Sequence, residues 1–122
     1  DVTIIGYAIT AVKALEAANK IAEDGISAEV IDLRSIRPLD EEAILKSVAK
    51  TNRVVVAEEC WSRAGIAADI SAIIMEKGFD DLDAPVRRVS QKDVPLPYAE
   101  NLEKMSLPQT EDIIDAVKNV LK

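Results

Sequence analysis

Residues 29–59, EVIDLRSIRPLDEEAILKSVAKTNRVVVAEE, leave few folds open to this 122-residue chain. Val30 to Leu33 is a short apolar run, and Arg37-Pro38 closes a basic turn behind it. Asp40 then stands where a helix N-cap belongs, with Glu41 and Glu42 favourably placed in the first turn of the helix dipole. A second apolar run, Val54 to Ala57, follows the helix. Two apolar strands joined by a helix cannot form a hairpin; they build a parallel sheet through a crossover.

The rest of the chain repeats that alternation. A first strand is expected over 2–7 and a helix over 10–24. Val12, Leu15, Ala18 and Ala22 form its inward stripe, widened by Ala14 and Ile21, and Gly25 provides a left-handed stop. The second strand covers 28–33. The helix behind Asp40 turns Ala43, Ile44, Ser47 and Val48 inward, and the third strand covers 53–58. A helix over 64–77 buries Ile66, Ile70, Ile73 and Ile74, and an acidic loop spans 79–85. A fourth strand over 86–90 carries Arg87 and Arg88, which suit an edge. Pro95 and Pro97 keep the DVPLPY segment extended, a short turn follows over 99–104, and Thr110 caps a final helix with Ile113, Ile114, Val117 and Val120 inward. The expected architecture is one α/β domain over 1–122: a three-layer α/β/α sandwich around a mainly parallel, doubly wound sheet of order 2-1-3-4.

Composition narrows the function. A net charge of −7 disfavours nucleic acid and anionic membranes as partners, and no run of about 18 apolar residues is present to span a bilayer. The single cysteine, Cys60, excludes an internal disulfide and fits a reducing compartment. There is no histidine, which removes the commonest general base and metal ligand. The chain starts at Asp1-Val2 inside a strand pattern, so it reads as a piece of a longer protein, inactive by itself.

Doubly wound sheets bind ligands at the carboxyl ends of their strands, here residues 7–10 and 58–63. A dinucleotide site would need glycines after the first strand, and YAITAVKALE supplies none. A phosphoacceptor domain would need an aspartate where Glu58 stands, and no Walker-type loop exists. No catalytic, cofactor-binding or metal-ligating residue is therefore assigned.

Five residues remain as candidate contacts. Glu58 and Glu59 point to opposite strand faces, poor geometry for an acid–base pair; they are solvated, cap a helix or meet another subunit. Cys60, beside two acids, is not placed for reactivity. Trp61, set in a loop, is either a lid over the local core or an interface anchor. Arg34 and Arg37 either satisfy carbonyls and acids in their own turn or dock an acidic surface. DVPLPY is a rigid connection or a recognition strip.

Read whole, the chain resembles the C-terminal domain of the beta subunit of the 2-oxoacid dehydrogenase family. EVIDLRSIRPLD, TNRVVVAEECWSRAGIAADI and DAPVRRVSQKDVPLPYAENLEKMSLPQ carry the resemblance, and the last string favours the pyruvate branch. That resemblance implies a part in a thiamine-diphosphate-dependent oxidoreductase that decarboxylates pyruvate and acetylates a lipoyl arm, with the thiamine diphosphate and magnesium held outside this segment. It also implies beta–beta association, contact with an alpha subunit, and docking of the basic subunit-binding domain of a dihydrolipoyl acyltransferase, in a bacterial cytoplasm or a mitochondrial matrix. Cys60, Ser62, Arg63, Ala67 and Gln91-Lys92 depart from the family pattern, and the antiparallel strand that opens the domain in that family is not seen, which would bare one sheet edge. A free-standing flavodoxin-like ligand module, a pure oligomerisation module and the branched-chain or deoxyxylulose-phosphate synthase relatives are the competing readings.

Overall fold

The computed structural model describes residues Asp1–Lys122. Four strands, β1 (Val2–Gly6), β2 (Ala28–Asp32), β3 (Val54–Trp61) and β4 (Arg87–Gln91), form one parallel sheet in the order β2-β1-β3-β4. Five helices connect them: α1 (Ile9–Glu23), α2 (Glu41–Thr51), α3 (Ile66–Gly78), α4 (Glu100–Ser106) and α5 (Thr110–Val120), with a 3-10 turn at Phe79–Asp81. The expected fold and strand order are both present.

The central strands divide their side chains between two cores, as a period of two requires. Val2, Ile4, Val55 and Ala57 pack with Ala14, Ala17 and Ile21 of α1 and Ile113, Val117 and Val120 of α5. Ile5, Val54 and Val56 pack on the other side with Ile44 and Val48 of α2 and Ala67, Ile70 and Ile74 of α3. Each fully buried Ile or Val is worth ~1.5–3 kcal/mol of transfer free energy, so the two layers together carry the fold. One polar spot interrupts the second layer: Thr3 Oγ1 lies 2.7 Å from both Ser47 Oγ and Thr51 Oγ1, a closed set of hydroxyls that satisfies all three.

Several local expectations need correction. Val12 and Leu15 do not face the core; both are exposed, and Thr10, Ala11, Ala14, Ala17 and Ile21 take the inner face. Val12 sits about 200° around the helix from Ala14, and the small residues win because they let α1 close on the sheet and α5 together. β2, apolar as its sequence is, is only half buried, because order 2-1-3-4 makes it an edge. Ala43 faces solvent, whereas Thr51 is buried and still helical. Ile66 and Ile73 are half buried beside Ala67, Ile70 and Ile74, as is Ile114 beside Ile113. Asp40 does cap α2, its Oδ1 accepting the Ala43 N–H at 3.0 Å. Thr110 does not cap α5; Gln109 does, in a reciprocal capping box with Asp112. Gly25 has φ +80°, the left-handed stop expected after α1. The turn expected over 99–104 is the helix α4.

Candidate functional site

The carboxyl rim of the sheet concentrates the unusual backbone. Three alanine or arginine residues just past a strand adopt positive φ: Ala8 (49°) after β1, Arg34 (54°) after β2 and Ala64 (56°) after β3. Each costs ~1–2 kcal/mol relative to an ordinary conformation, so the rim is held in shape by its neighbours. Arg37, on the β2–α2 turn, precedes a cis proline and is exposed.

Helices α1 and α3 leave the rim on opposite faces, between β1 and β3, at the switch point of the fold. The chain's own atoms bridge that crevice. Thr10 Oγ1 is 2.7 Å from Tyr7 O and 2.9 Å from Ala57 O, which compete for its proton, and it accepts the Tyr7 N–H at 3.1 Å. Gly6 is required beneath it, because a Cβ there would lie 2.9 Å from the backbone of Thr10 and Ala11. An open depression of about 370 Å³ remains beside the crevice, lined by Tyr7, Ala8, Asp32, Arg34 and Ile36.

Of the alternatives open for Glu58, the structure keeps the helix cap. Glu58 is not a surface contact: its side chain has no solvent exposure. Oε2 accepts the Ala67 N–H at 3.0 Å and Oε1 accepts the Ser90 hydroxyl at 3.1 Å. The carboxylate therefore caps α3 from β3 and ties both to β4. Gly65 makes room for it, since a Cβ there would lie 2.5 Å from Oε1 and 2.7 Å from Oε2. Buried so completely, Glu58 cannot itself touch a partner, and only its helix-capping role stands. The sequence holds a signal that went unread: a glutamate ending a run of buried valines, followed by Gly65 at a helix start.

Glu59 points to the other face, as strand alternation requires, and its Oε1 lies 3.8 Å from Lys13 Nζ. Lys13 also donates to Pro108 O at 2.7 Å, so α1, β3 and the loop before α5 meet there. Trp61 belongs to β3 rather than to a loop, past an irregularity in the pairing with β4. It is 46% exposed, and its indole N–H donates to Val94 O at 3.1 Å, pinning the DVPLPY strip to the rim. Arg34 Nε lies 3.0 Å from Asp32 Oδ2, an exposed pair within its own turn. The structure thus groups Glu59 and Trp61 at the end of β3. Arg34 and Arg37 lie on the same rim, across β1.

Tyr7 shares this rim. Partial burial lifts its phenol above the ordinary tyrosine range, and the acids Glu58 and Glu59 and the Cys60 thiol add to the effect. Exposed apolar residues lie near the rim: Ile9, Val12 and Leu15 on α1, where the sequence placed Val12 and Leu15 inward, and Val94, Leu96 and Tyr98 on the DVPLPY strip, which it left as a connection or a recognition strip.

Thiamine diphosphate with magnesium does not fit these residues. No three acidic, cysteine or histidine side chains converge as metal ligands, and the switch point presents Thr10 and a bridged crevice in place of a phosphate-binding loop.

The four-stranded α/β fold is that of a transketolase-type C-terminal domain. The model of the transketolase C-terminal domain family matches residues 1–113, and the chain belongs to that family. Its curated relatives include the pyruvate dehydrogenase E1 component subunit beta of Rickettsia felis, 55% identical over 120 residues, which cover 98% of this chain and 37% of that protein. The subunit beta of Rickettsia bellii is 58% identical with the same coverage, and the mitochondrial subunit beta of Dictyostelium discoideum is 52% identical, with 34% of its length covered. The chain therefore spans little more than a third of these relatives. Among solved structures, a split-gene transketolase, an inactive beta4 tetramer, superposes with a TM-score of 0.85 at 33% identity, covering 99% of this chain and 38% of that one. No helix is long and apolar enough to cross a membrane.

Proposed function

We propose that this chain is the C-terminal assembly and partner-docking domain of a thiamine-diphosphate-dependent pyruvate dehydrogenase beta subunit. The observation that carries this is identity of 52–58% with such subunits along 98% of the chain, with only about a third of their length covered. In the whole enzyme, pyruvate is decarboxylated and the acetyl group passes to the lipoyl arm of a dihydrolipoyl acyltransferase. Thiamine diphosphate and magnesium sit between the alpha subunit and the remainder of the beta subunit, in a bacterial cytoplasm or a mitochondrial matrix.

The contribution of this domain is contact. Ile9, Val12 and Leu15 form an exposed apolar row on α1, of the kind that marks association surfaces, and it serves beta–beta pairing. Glu59 and Trp61, with the net charge of −7 behind them, meet the basic subunit-binding domain of the acyltransferase, while Arg34 and Arg37 reach acidic groups on a neighbouring subunit.

Calorimetry tests both halves. Titration with thiamine diphosphate and magnesium is expected to release no binding heat; micromolar binding would overturn the placement of the cofactor elsewhere. Titration with an isolated acyltransferase subunit-binding domain is expected to show salt-sensitive binding, weakened in Trp61→Ala and Glu59→Lys. Dimers in sedimentation without any such binding would leave self-association alone.

A further inference from the structure

We propose that the outer edge of β4 is a docking site for an extended, acidic peptide segment, which joins the sheet as a fifth strand. The site goes beyond the assembly role above: it lies on a different surface, takes a partner of opposite charge, and stands or falls independently.

β4 pairs only with β3, so the alternate residues of Arg87–Gln91 that turn their N–H and C=O groups away from β3 have no backbone partner. Such a row is a template for strand addition. Two open clefts border it. One, of about 670 Å³, runs between β4, α4 and α5 and carries Glu111, Asp112 and Asp115 on its α5 wall. The other, of about 460 Å³, is lined by Ser62, Arg87, Arg88, Ser90, Lys92 and Asp93 among others. An added strand would set side chains beside both clefts.

Charge identifies the occupant. Most lysines in this acidic chain sit in ion pairs, among them Lys13, Lys20, Lys50, Lys77, Lys104 and Lys118. Arg87, Arg88 and Lys92 are exposed and have no acidic partner; Arg88 donates only to the Ser62 carbonyl, at 2.6 Å. Of the acids across the larger cleft, Glu111 pairs with Lys20 and Asp112 accepts the Gln109 N–H. Arg87 and Arg88 on the open edge, with Lys92 just past it where its N–H bonds Ser106 O, therefore favour a strand bearing Asp or Glu. They also repel a second β4 edge, which would bring arginines opposite arginines.

The test uses a short fluorescein-labelled peptide alternating valine and glutamate, titrated with the chain and followed by anisotropy. Saturable binding is expected, weakened about tenfold or more in Arg87→Glu/Arg88→Glu. A peptide of equal charge with prolines at alternate positions is expected not to bind, because it cannot complete the ladder. Hydrogen exchange on the unmodified chain provides a readout free of variants: amides within Arg87–Gln91 should slow when peptide is present. Absence of saturable binding, unchanged amide exchange at saturation, or equal affinity for the proline peptide would each overturn the proposal. So would unchanged affinity in a folded charge-reversed variant, or self-association of the chain that competes with the peptide.

Discussion

Glu58 Oε2 accepts the backbone N–H of Ala67 at 3.0 Å from a position with no solvent exposure, so one carboxylate joins the end of β3 to the start of α3. Glu58→Ala would leave the Ala67 N–H and the Ser90 hydroxyl without their partner and open a void, a loss of about 2–4 kcal/mol. Glu58→Gln can keep both contacts, with its amide oxygen on Ala67 and its NH₂ on the serine oxygen, and should lose less than about 1.5 kcal/mol. Urea denaturation of the two variants measures the difference.

Gly65 and Glu58 compete for one space, so their substitutions should not add. Gly65→Ala alone forces a methyl against the carboxylate and the Trp61 carbonyl and should cost about 1–3 kcal/mol. In a Glu58→Ala background the carboxylate obstruction is gone, and the same change should cost at least about 1 kcal/mol less. A double-mutant cycle with no coupling would show that the glycine is needed for something other than the carboxylate.

The Thr3, Ser47 and Thr51 hydroxyls form a second buried polar unit, between β1 and α2. Thr3→Val preserves shape but removes the group that both others contact, and should destabilise by about 1–2 kcal/mol. Adding Ser47→Ala should then cost less than it does alone, because the serine hydroxyl has already lost its partner.

Tyr7 sets an alkaline limit. Its folded phenol ionises above the ordinary value of 10, so the unfolded chain gives up that proton first as pH rises. The stability tied to the neutral phenol is therefore complete below pH 10 and lost as pH climbs through 10 towards the folded value. Tyr7→Phe should flatten the fall in urea midpoint between about pH 9 and 11. An unchanged profile would assign the fall to other groups.

Left-handed alanines are the reverse case. Ala8→Gly and Ala64→Gly relieve a Cβ clash at φ 49° and 56° and should each stabilise by about 0.5–1 kcal/mol. Gly25→Ala, at φ +80° with open space around it, should destabilise by about 1 kcal/mol. Thermal melts of the three variants check the signs.

The strand order was legible because alternating apolar strands and helices admit few right-handed arrangements, and Asp40 was legible because a cap acts through its immediate neighbours. The inner face of α1 was not. Val12 and Leu15 have the hydrophobicity of core residues, and only the proximity of α5 decides that Ala14 and Ala17 go inside. For Glu58 the choice among solvent, helix cap and subunit contact stayed open for a similar reason. A carboxylate after four buried residues looks like the return to solvent, and only the placement of Ala67 and Ser90 shows that it is satisfied without water. The family and its implied partners came from whole-length resemblance; Arg34, Arg37, Glu59 and Trp61 are surface residues whose local pattern names no chemistry.

The two cores differ in when they can close. The layer containing Ile44, Val48, Ile70 and Ile74 takes its fully buried residues from no later than Ile74, with Leu82 and Val86 packed at its border, whereas the layer around Val2 and Ile4 needs Ile113, Val117 and Val120. As the chain leaves the ribosome at ~5–20 residues per second, the α2–α3 side can settle several seconds before α5 exists. Over that interval the inner surface of α1 has no helix beside it. The nascent chain is thus most exposed to misassociation on the α1 side, and a chaperone that shields it there would serve it best.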